Sequence, residues 1–159
     1  MTIGLYAGSF DPITLGHLDI IISSSEVFEK VIIGVAVNPD KNYLIPTNDR
    51  VKLIKECTKN IPNIEVYSFD GLTADFAKKH KANVLIRGLR NTLDFEYEKE
   101  LAMINYDIND SIKTVFLMSK SENSYISSSA VKELINHKSD ITKYVPVNVV
   151  EYLYQKKFL

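Results

Sequence analysis

The segment between Gly8 and His17 carries the residue types of a phosphate-binding turn. It follows the apolar run 3–7 and precedes a stretch with apolar residues at helical spacing, which predicts a strand, a tight turn and a helix start. Gly8 and Gly16 lack a Cβ, so we expect the backbone to turn sharply there and a ligand to approach it closely. His17 falls in the first helical turn, where free N–H groups and the helix dipole attract anions. A simpler interpretation is an ordinary glycine turn with a surface histidine.

The rest of the chain alternates strand and helix patterns. Apolar runs rich in β-branched residues predict strands at about 3–7, 31–37, 64–69, 84–86 and 114–118. Helical spacing predicts helices at about 18–29, 48–59, 73–80, 93–106, 129–137 and 147–157. This alternation indicates an α/β fold, a doubly wound five-stranded parallel sheet with helices on both faces. Thr47 and Thr92 are predicted to precede and cap helices, and Pro146 to lie in the first turn of the last one.

Composition narrows the class of protein. The chain has 159 residues, of which 45% are hydrophobic and 25% charged, and this predicts one domain over residues 1–159. A net charge of −1 gives no basic field for nucleic acid or a membrane surface. The lone cysteine, Cys57, excludes an internal disulfide framework and a cysteine-based zinc site. With no apolar run of the ~20 residues that a membrane span needs, we expect a soluble, cytoplasmic protein.

Parallel connectivity places the loops after all five strands at one edge of the sheet, where such folds bind ligands. The donors that these loops bring to the edge are Ser9, His17, Lys41, Arg87 and Arg90. A cluster of donors on a nearly neutral chain suits a ligand with several phosphates. Three serines, 127–129, open a further helix at the same edge and are predicted either to bind an anion or to cap that helix.

Each of these residues also has a structural interpretation. Arg87 and Arg90 could pair with acidic residues of the following helix, Asp94, Glu96 or Glu98. Glu98 could orient Arg90, accept a hydrogen bond from a ligand, or be a solvated acid, and Lys41 could be a solvated lysine. The sequence contains no pattern of a catalytic triad and no His or Cys cluster at metal-ligand spacing. The predicted chemistry is therefore a transfer between two bound substrates, catalysed by positioning and charge stabilisation.

The same residues resemble a known family. Gly8–Pro12 with Thr14–His17 is similar to the (T/H)xGH signature of the nucleotidyltransferase superfamily, and 126–129 is similar to its second signature. The segment 84–90, followed by Asp-Phe-Glu-Tyr-Glu at 94–98, resembles bacterial phosphopantetheine adenylyltransferase. The likeness runs over essentially the whole chain. It implies the reaction of ATP with 4'-phosphopantetheine to give dephospho-coenzyme A and pyrophosphate, by direct in-line attack without a covalent enzyme intermediate.

The resemblance also implies roles for individual residues. His17 would stabilise the transition state at the α-phosphate, Ser9 would orient the acceptor phosphate, and Lys41 would bridge the substrates, with Arg90 also in the catalytic set. The acceptor would be bound by Ser9, Lys41, Thr73, Arg87 and Asn105. The ATP site would comprise Ser9, Phe10, His17, Gly88, Leu89, Arg90, Glu98, Asn123, Ser124, Tyr125, Ile126, Ser127, Ser128 and Ser129.

The family further implies Mg²⁺ bound mainly through the ATP phosphates, a homohexamer, and feedback inhibition by coenzyme A. Two other functions stay open. Related nucleotidyltransferases act on nicotinamide mononucleotide or glycerol phosphate, but they commonly carry His where Thr14 stands and lack the Arg-Gly-Leu-Arg segment. A nucleotide sensor without catalytic activity predicts loss of the cationic residues, whereas His17, Lys41 and Arg90 are all present.

Overall fold

The computed structural model describes residues 2–159. Its strands are β1 (Ile3–Gly8), β2 (Lys30–Val37), β3 (Ile64–Asp70), β4 (Val84–Leu89) and β5 (Lys113–Met118). Its α-helices are α1 (Leu15–Val27), α2 (Thr47–Thr58), α3 (Thr73–Lys79), α4 (Thr92–Ile108), α5 (Ser128–Asn136) and α6 (Val147–Gln155). A short 3₁₀ turn, Ser121–Asn123, links β5 to α5 and has no counterpart among the predicted elements.

The strands form one parallel sheet in the order β3-β2-β1-β4-β5, which confirms the predicted fold class. The chain first builds outward from β1 to β3 and then returns to the other side of β1 to add β4. The strand order therefore reverses between β1 and β4, where Tyr6 pairs with Ile86. In such sheets, ligands bind in the crevice beyond the carboxyl ends of the two strands at this position.

Alternate residues of the strands face two separate cores. Tyr6, Ile33 and Val35 face a large core that includes apolar residues of α1, α2, α5 and α6. Leu5 and Ala7 face a smaller core that includes residues of α3. The central strands β1 and β2 are covered on both faces and are apolar almost without interruption, whereas the edge strand β3 leaves Tyr67 and Ser68 exposed. Among the helices of residues 2–159, none is long and apolar enough to cross a membrane.

Several predicted element ends are wrong, for local reasons. Thr47 is the first residue of α2 rather than its cap, and its hydroxyl accepts a hydrogen bond from Arg50. Asn91, not Thr92, caps α4, because its side chain accepts from the N–H of Asp94. Pro146 stands at the N-cap position of α6 rather than in its first turn. Helix starts depend on which side chain reaches the free N–H groups, and sequence spacing does not determine that choice.

The strand β4 also extends farther than predicted. Arg87 pairs with Phe116 and Leu89 with Met118, so the residues expected in a loop after the strand belong to the strand itself. The ladder continues because β5 is long enough to supply partners. Arg87 and Gly88 are consequently held on a strand rather than on a flexible connection.

Candidate active site

A crevice opens at the strand reversal, beyond the carboxyl ends of β1 and β4, and encloses about 260 Å³. It is bounded by the starts of α1, α4 and α5, so three helix N-termini surround it. The residues that line it are Tyr6, Ala7, Gly8, Phe10, Thr14, Gly16, His17, Ile20, Arg87, Gly88, Leu89, Arg90, Asp94, Glu98, Ser119, Ile126, Ser127 and Ser128. Helix N-termini and arginines together favour an anionic ligand with several phosphates.

The turn between β1 and α1 is built around Phe10. Its backbone is in the left-handed region, with φ of 49°, whereas Gly8 and Gly16, at which a sharp turn was expected, are not in that region. The Phe10 ring is buried and contacts the rings of Tyr6 and His17 edge-on, at centroid distances of 5.4 and 5.1 Å. This packing holds the Phe10 ring in the position where it contacts the His17 ring. Within residues 2–159, the other non-glycine residues in the left-handed region, Lys81, Lys138 and Lys157, each follow the end of a helix, so Phe10 is the one within a turn of the crevice.

His17 is held by the residue that caps its helix. The Thr14 N–H donates to Nδ1 of His17 at 3.1 Å, and the His17 N–H donates to the Thr14 hydroxyl at 3.3 Å. Since Nδ1 accepts a hydrogen bond, the proton of the neutral ring lies on Nε2. Burial, with a smaller contribution from the charge of Arg90, lowers the pKa of His17 to about 4. The imidazole is therefore neutral at pH 7 and presents one N–H donor to the crevice.

The opposite wall combines close packing with paired charges. A Cβ at position 88 would lie 2.9 Å from Cγ1 of Ile20, so glycine lets β4 approach α1 closely. Arg87 binds Glu98 through two hydrogen bonds, one of them 2.7 Å long, and Arg90 binds Asp94 through its side chain at 2.8 and 3.0 Å. The ion-pair alternative for these arginines is thus present in the structure, on residues that also line the crevice.

Of the two arginines considered as partners of Glu98, the structure selects Arg87. Glu98 binds Arg87 rather than Arg90, and its side chain is only 14% exposed, so it is not a solvated surface acid. The carboxylate that binds Arg90 is Asp94. Burial opposes ionisation of Asp94, but hydrogen bonds from the Arg90 side chain and N–H hold the pKa of that carboxyl below its usual range. Each arginine of this wall is thus already paired with a carboxylate, which a bound phosphate would have to replace.

A second cavity of about 260 Å³ lies on the other side of Arg87, between the sheet and α4. Thr73, Arg87 and Asn105, three of the residues predicted to bind the acceptor, line it together. Its other walls are mainly apolar and include Leu5, Leu85, Leu101 and Ile104. Arg87 lines both cavities, so its guanidinium lies where a ligand in one could meet a ligand in the other.

The serine segment contributes part of the crevice wall. Ser127 caps α5 by accepting from the N–H of Ala130, and the Ser128 hydroxyl donates to the Pro12 carbonyl. Ile126, Ser127 and Ser128 line the crevice, whereas Ser124, Tyr125 and Ser129 lie outside its wall. Asn123 likewise lies outside, with its amide donating to the Asp19 carboxylate at 2.6 Å. The Tyr125 ring instead contacts Tyr144 at a separate apolar cavity.

Neither Ser9 nor Lys41 is part of the crevice wall, although Ser9 lies between the lining residues Gly8 and Phe10. Ser9 is half-buried, and its carbonyl accepts a hydrogen bond of 2.6 Å from Arg50. Lys41 is exposed in the 38–46 connection. Its N–H donates to the Asn38 carbonyl at 3.1 Å, which closes a turn at the start of that connection.

Sequence reasoning missed three buried polar groups next to the site. Asp11 is 2% exposed and accepts from the N–H groups of Leu44 and Ile45, both at 2.9 Å. Arg50 is 1% exposed although it lies on a helix with a polar pattern. Tyr6, on β1, lines the crevice, and burial raises the pKa of its phenol. Asp11 lies inside the recognised turn and could have been singled out there, whereas nothing in the local pattern marks Arg50 as buried.

The donor set around the crevice does not form a metal cage. Among residues 2–159, no group of three or more His, Cys, Asp or Glu side chains is placed to hold a metal ion. The two carboxylates in the crevice wall, Asp94 and Glu98, are both bound to arginines. A divalent cation bound in the crevice would have to take other ligands from a substrate or from water.

Comparison with known proteins identifies the family of the chain. The sequence profile of the Cytidylyltransferase-like family matches residues 5–134. The phosphopantetheine adenylyltransferase of Lachnoclostridium phytofermentans is 49% identical over 156 residues, which cover 98% of this chain and 96% of the relative. The enzyme of the same name from Picosynechococcus sp. is 50% identical over 153 residues, covering 96% of this chain and 86% of the relative.

A solved structure extends the comparison to the fold. A Vibrio parahaemolyticus protein assigned as a nicotinate-nucleotide adenylyltransferase superposes with a TM-score of 0.77 at 19% identity, covering 99% of this chain and 95% of its own. Fold, profile and relatives define a nucleotidyltransferase. The chain belongs to the Cytidylyltransferase-like family and, within it, to the phosphopantetheine adenylyltransferases, which confirms the resemblance found in the sequence.

Proposed function

We propose that the chain transfers the AMP moiety of ATP to 4'-phosphopantetheine, giving dephospho-coenzyme A and pyrophosphate in coenzyme A biosynthesis. The observation that carries this proposal is the position of Arg87 between two cavities. One cavity is surrounded by helix N-termini and suits a triphosphate. The other has mainly apolar walls and suits a longer, less charged arm. A phosphate held at Arg87 by such an arm would face the contents of the crevice.

The proposed chemistry is a single in-line displacement. An oxygen of the acceptor phosphate attacks the α-phosphorus of ATP, the bond from that phosphorus to the bridging oxygen breaks, and pyrophosphate leaves with the bond electrons. Nε2–H of His17 would donate to a non-bridging oxygen of the α-phosphate, where it stabilises the transition state. The start of α5, at Ser127 and Ser128, would receive the departing pyrophosphate. No covalent enzyme intermediate is needed.

The remaining residues would bind and orient the two substrates. Ser9 would orient the acceptor phosphate, and Lys41 would bridge the substrates when the 38–46 connection meets them. Thr73 and Asn105 would contact the arm of the acceptor. ATP would be bound by Phe10, Gly88, Leu89, Arg90, Glu98 and the 123–129 segment. Glu98 and Asp94 would exchange their arginine partners for substrate groups on binding.

Mg²⁺ would be carried into the crevice by the phosphates of ATP, because the carboxylates there already have arginine partners. When bound, it would neutralise triphosphate charge. The reaction consumes ATP, and we propose a cytoplasmic location. Coenzyme A contains the acceptor's arm and the product's nucleotide, so it would occupy both cavities and act as a feedback inhibitor.

We also propose a homohexamer, supported by the surface of α4. All 17 residues of this helix are described and none of them is buried. Its exposed apolar residues include Leu93, Tyr97 and Met103, which are 82%, 63% and 64% exposed. Large apolar side chains that a helix leaves exposed in the single chain are candidates for a subunit interface. Light scattering of the purified protein should give six times the chain mass, and Met103→Lys should lower it.

The experiment that tests the function is release of pyrophosphate from ATP with three acceptors offered separately. Turnover with 4'-phosphopantetheine, and none with nicotinamide mononucleotide or glycerol 3-phosphate, is the expected result. Turnover with another acceptor alone would reassign the substrate within the same fold. Binding of ATP without turnover of any acceptor would instead indicate a nucleotide sensor. The His17→Ala variant serves as the inactive control for contaminating activity.

A further inference from the structure

The guanidinium of Arg50 links the turn between β1 and α1, called the crevice turn below, to the 38–46 connection that carries Lys41. Arg50 is 1% exposed and donates to the Ser9 carbonyl at 2.6 Å, the Ile45 carbonyl at 3.0 Å and the Thr47 hydroxyl at 2.8 Å. A fourth hydrogen bond reaches the Ala36 carbonyl at 3.4 Å. Burying a charge is costly, so the contacts it makes must compensate. These contacts bind three separate chain segments next to the site.

Tyr43 extends these contacts from Arg50 toward Lys41. Its ring lies against the Arg50 guanidinium, with 3.9 Å between Cζ and the ring centroid. Its hydroxyl accepts a hydrogen bond of 2.7 Å from the Asn38 N–H. Asn38 in turn accepts from the Lys41 N–H through its carbonyl. A continuous chain of contacts therefore runs from Ser9 through Arg50, Tyr43 and Asn38 to Lys41.

The other end of the 38–46 connection, at Leu44 and Ile45, is held by contacts that do not involve Tyr43. Asp11, in the crevice turn, accepts from the N–H groups of Leu44 and Ile45. Its buried carboxylate also faces the Lys132 ammonium at 3.4 Å. Leu44 and Ile45 are thus bound to the crevice turn, and the contacts of Tyr43 and Arg50 determine where residues 38–41 lie. Ile45 adds apolar packing to these hydrogen bonds, because its side chain is fully buried in the large core.

We propose that Arg50 and Tyr43 are positioning residues that hold Lys41 at a fixed distance from Ser9 for the transfer reaction. This inference rests on the proposed function, in which Ser9 and Lys41 both contact substrate. A positioned cation lowers the barrier by being in place before the substrates meet. Loss of the Tyr43 hydroxyl releases the Asn38–Lys41 turn, because it removes the exposed bond of 2.7 Å from the Asn38 N–H and a longer one of 3.5 Å to the Ala36 carbonyl.

A double-mutant cycle tests the proposal, with Tyr43→Phe and Lys41→Ala alone and combined. Tyr43→Phe keeps the ring on Arg50 and removes only the hydroxyl. We expect it to lower kcat/KM by about tenfold in the wild-type background and by less than about twofold in the Lys41→Ala background. The matched control is Tyr152→Phe, which removes a hydrogen bond of 2.6 Å to Asp49 on the same helix as Arg50 and should leave kcat/KM unchanged in both backgrounds.

Three results would overturn the proposal: an equal loss in both backgrounds, wild-type activity of Tyr43→Phe, or full activity of Lys41→Ala. Arg50→Lys keeps the charge but not the planar set of donors, and should lower kcat/KM about 100-fold with the same dependence on Lys41. If Arg50→Lys fails to fold, the Tyr43 cycle decides alone. Absence of turnover in the wild type with every acceptor would contradict the proposed function, which separates that failure from a failure of this inference.

Discussion

The two walls of the crevice present hydrogen-bond donors to a phosphate in different ways. On the β1–α1 wall, His17 is neutral, and its ring is held by the residue that caps its own helix. On the β4–α4 wall, Arg87 and Arg90 are charged and are each bound to a carboxylate of α4. The first wall offers a donor that is ready before any ligand arrives. On the second wall, a ligand can bind the arginines only by displacing the carboxylates that are paired with them.

This difference suggests a division of work between the walls. A neutral donor with fixed geometry needs no rearrangement in the transition state, so it suits rate acceleration. Paired arginines with side chains 26% and 36% exposed are partly hydrated, so exchanging a carboxylate for a phosphate costs little. They suit substrate binding and selection. Variants on the β1–α1 wall should therefore change kcat, and variants on the β4–α4 wall should change KM.

The largest effect is expected for His17→Ala. Removing one transition-state donor should lower kcat by about 10² to 10³, with little change in either KM. Steady-state kinetics with both substrates varied would measure this, and the melting temperature would show that the fold survives. Turnover near the wild-type value would remove His17 from the catalytic role and leave the two walls without the proposed difference.

Arg87→Ala should act on binding instead. We expect KM for 4'-phosphopantetheine to rise by about 10- to 100-fold and KM for ATP to rise much less, because the acceptor phosphate loses a charged partner. Lys30→Ala is the matched control, since it breaks a pair of 2.7 Å with Glu65 away from the crevice. Equal increases in both KM values would mean that Arg87 does not distinguish the two cavities.

The fold and the β1–α1 wall of the crevice follow from local patterns in the sequence. The sheet, its parallel connectivity and the meeting of the loops at one edge follow from apolar runs of β-branched residues separated by helical patterns. The β1–α1 turn was recognisable because its signals are local, with glycines and a histidine at a helix start. The placement of Thr73, Arg87 and Asn105 around one cavity was implied by family resemblance, and their spacing alone does not predict it.

The rest depends on contacts between distant segments. Arg50 has the sequence surroundings of an exposed helical arginine, and only the folded chain brings three segments around its guanidinium. The pairing of Glu98 with Arg87 rather than Arg90 depends on how α4 lies against β4. The left-handed backbone at Phe10 is stabilised by ring packing, so no rule about glycine could have located it.

The ionisation of His17 gives a smaller effect, measurable without substrate. Its pKa is lowered from about 6.5 in the unfolded chain to about 4 in the fold, so only the unfolded state binds the proton between these values. Stability attributable to His17 is present above pH 6.5 and is lost as the pH falls toward 4. Relative to His17→Asn, the free energy of unfolding should fall more steeply by up to about 1.4 kcal/mol per pH unit.

Urea unfolding at several pH values would measure that slope. Parallel curves for the wild type and His17→Asn would mean that His17 titrates normally in the fold and is charged below neutral pH. The kcat profile gives a second measure, since a ring that is neutral throughout should produce no inflection between pH 5 and 8. An inflection that disappears in His17→Asn would contradict the neutral donor on the β1–α1 wall.

The smallest effects come from a matched pair of helix caps, one on each wall. Thr14 caps α1 and Asn91 caps α4, each by accepting a backbone N–H, so Thr14→Ala and Asn91→Ala should each reduce stability by about 1 kcal/mol. Only Thr14 also contacts the His17 ring, at 3.1 Å from its hydroxyl to Nδ1. Thr14→Ala should therefore lower kcat by about fivefold while Asn91→Ala leaves it unchanged, and Thr14→Ser should restore it. A similar loss of kcat in both alanine variants would show that helix stability, rather than the hold of Thr14 on His17, limits the reaction.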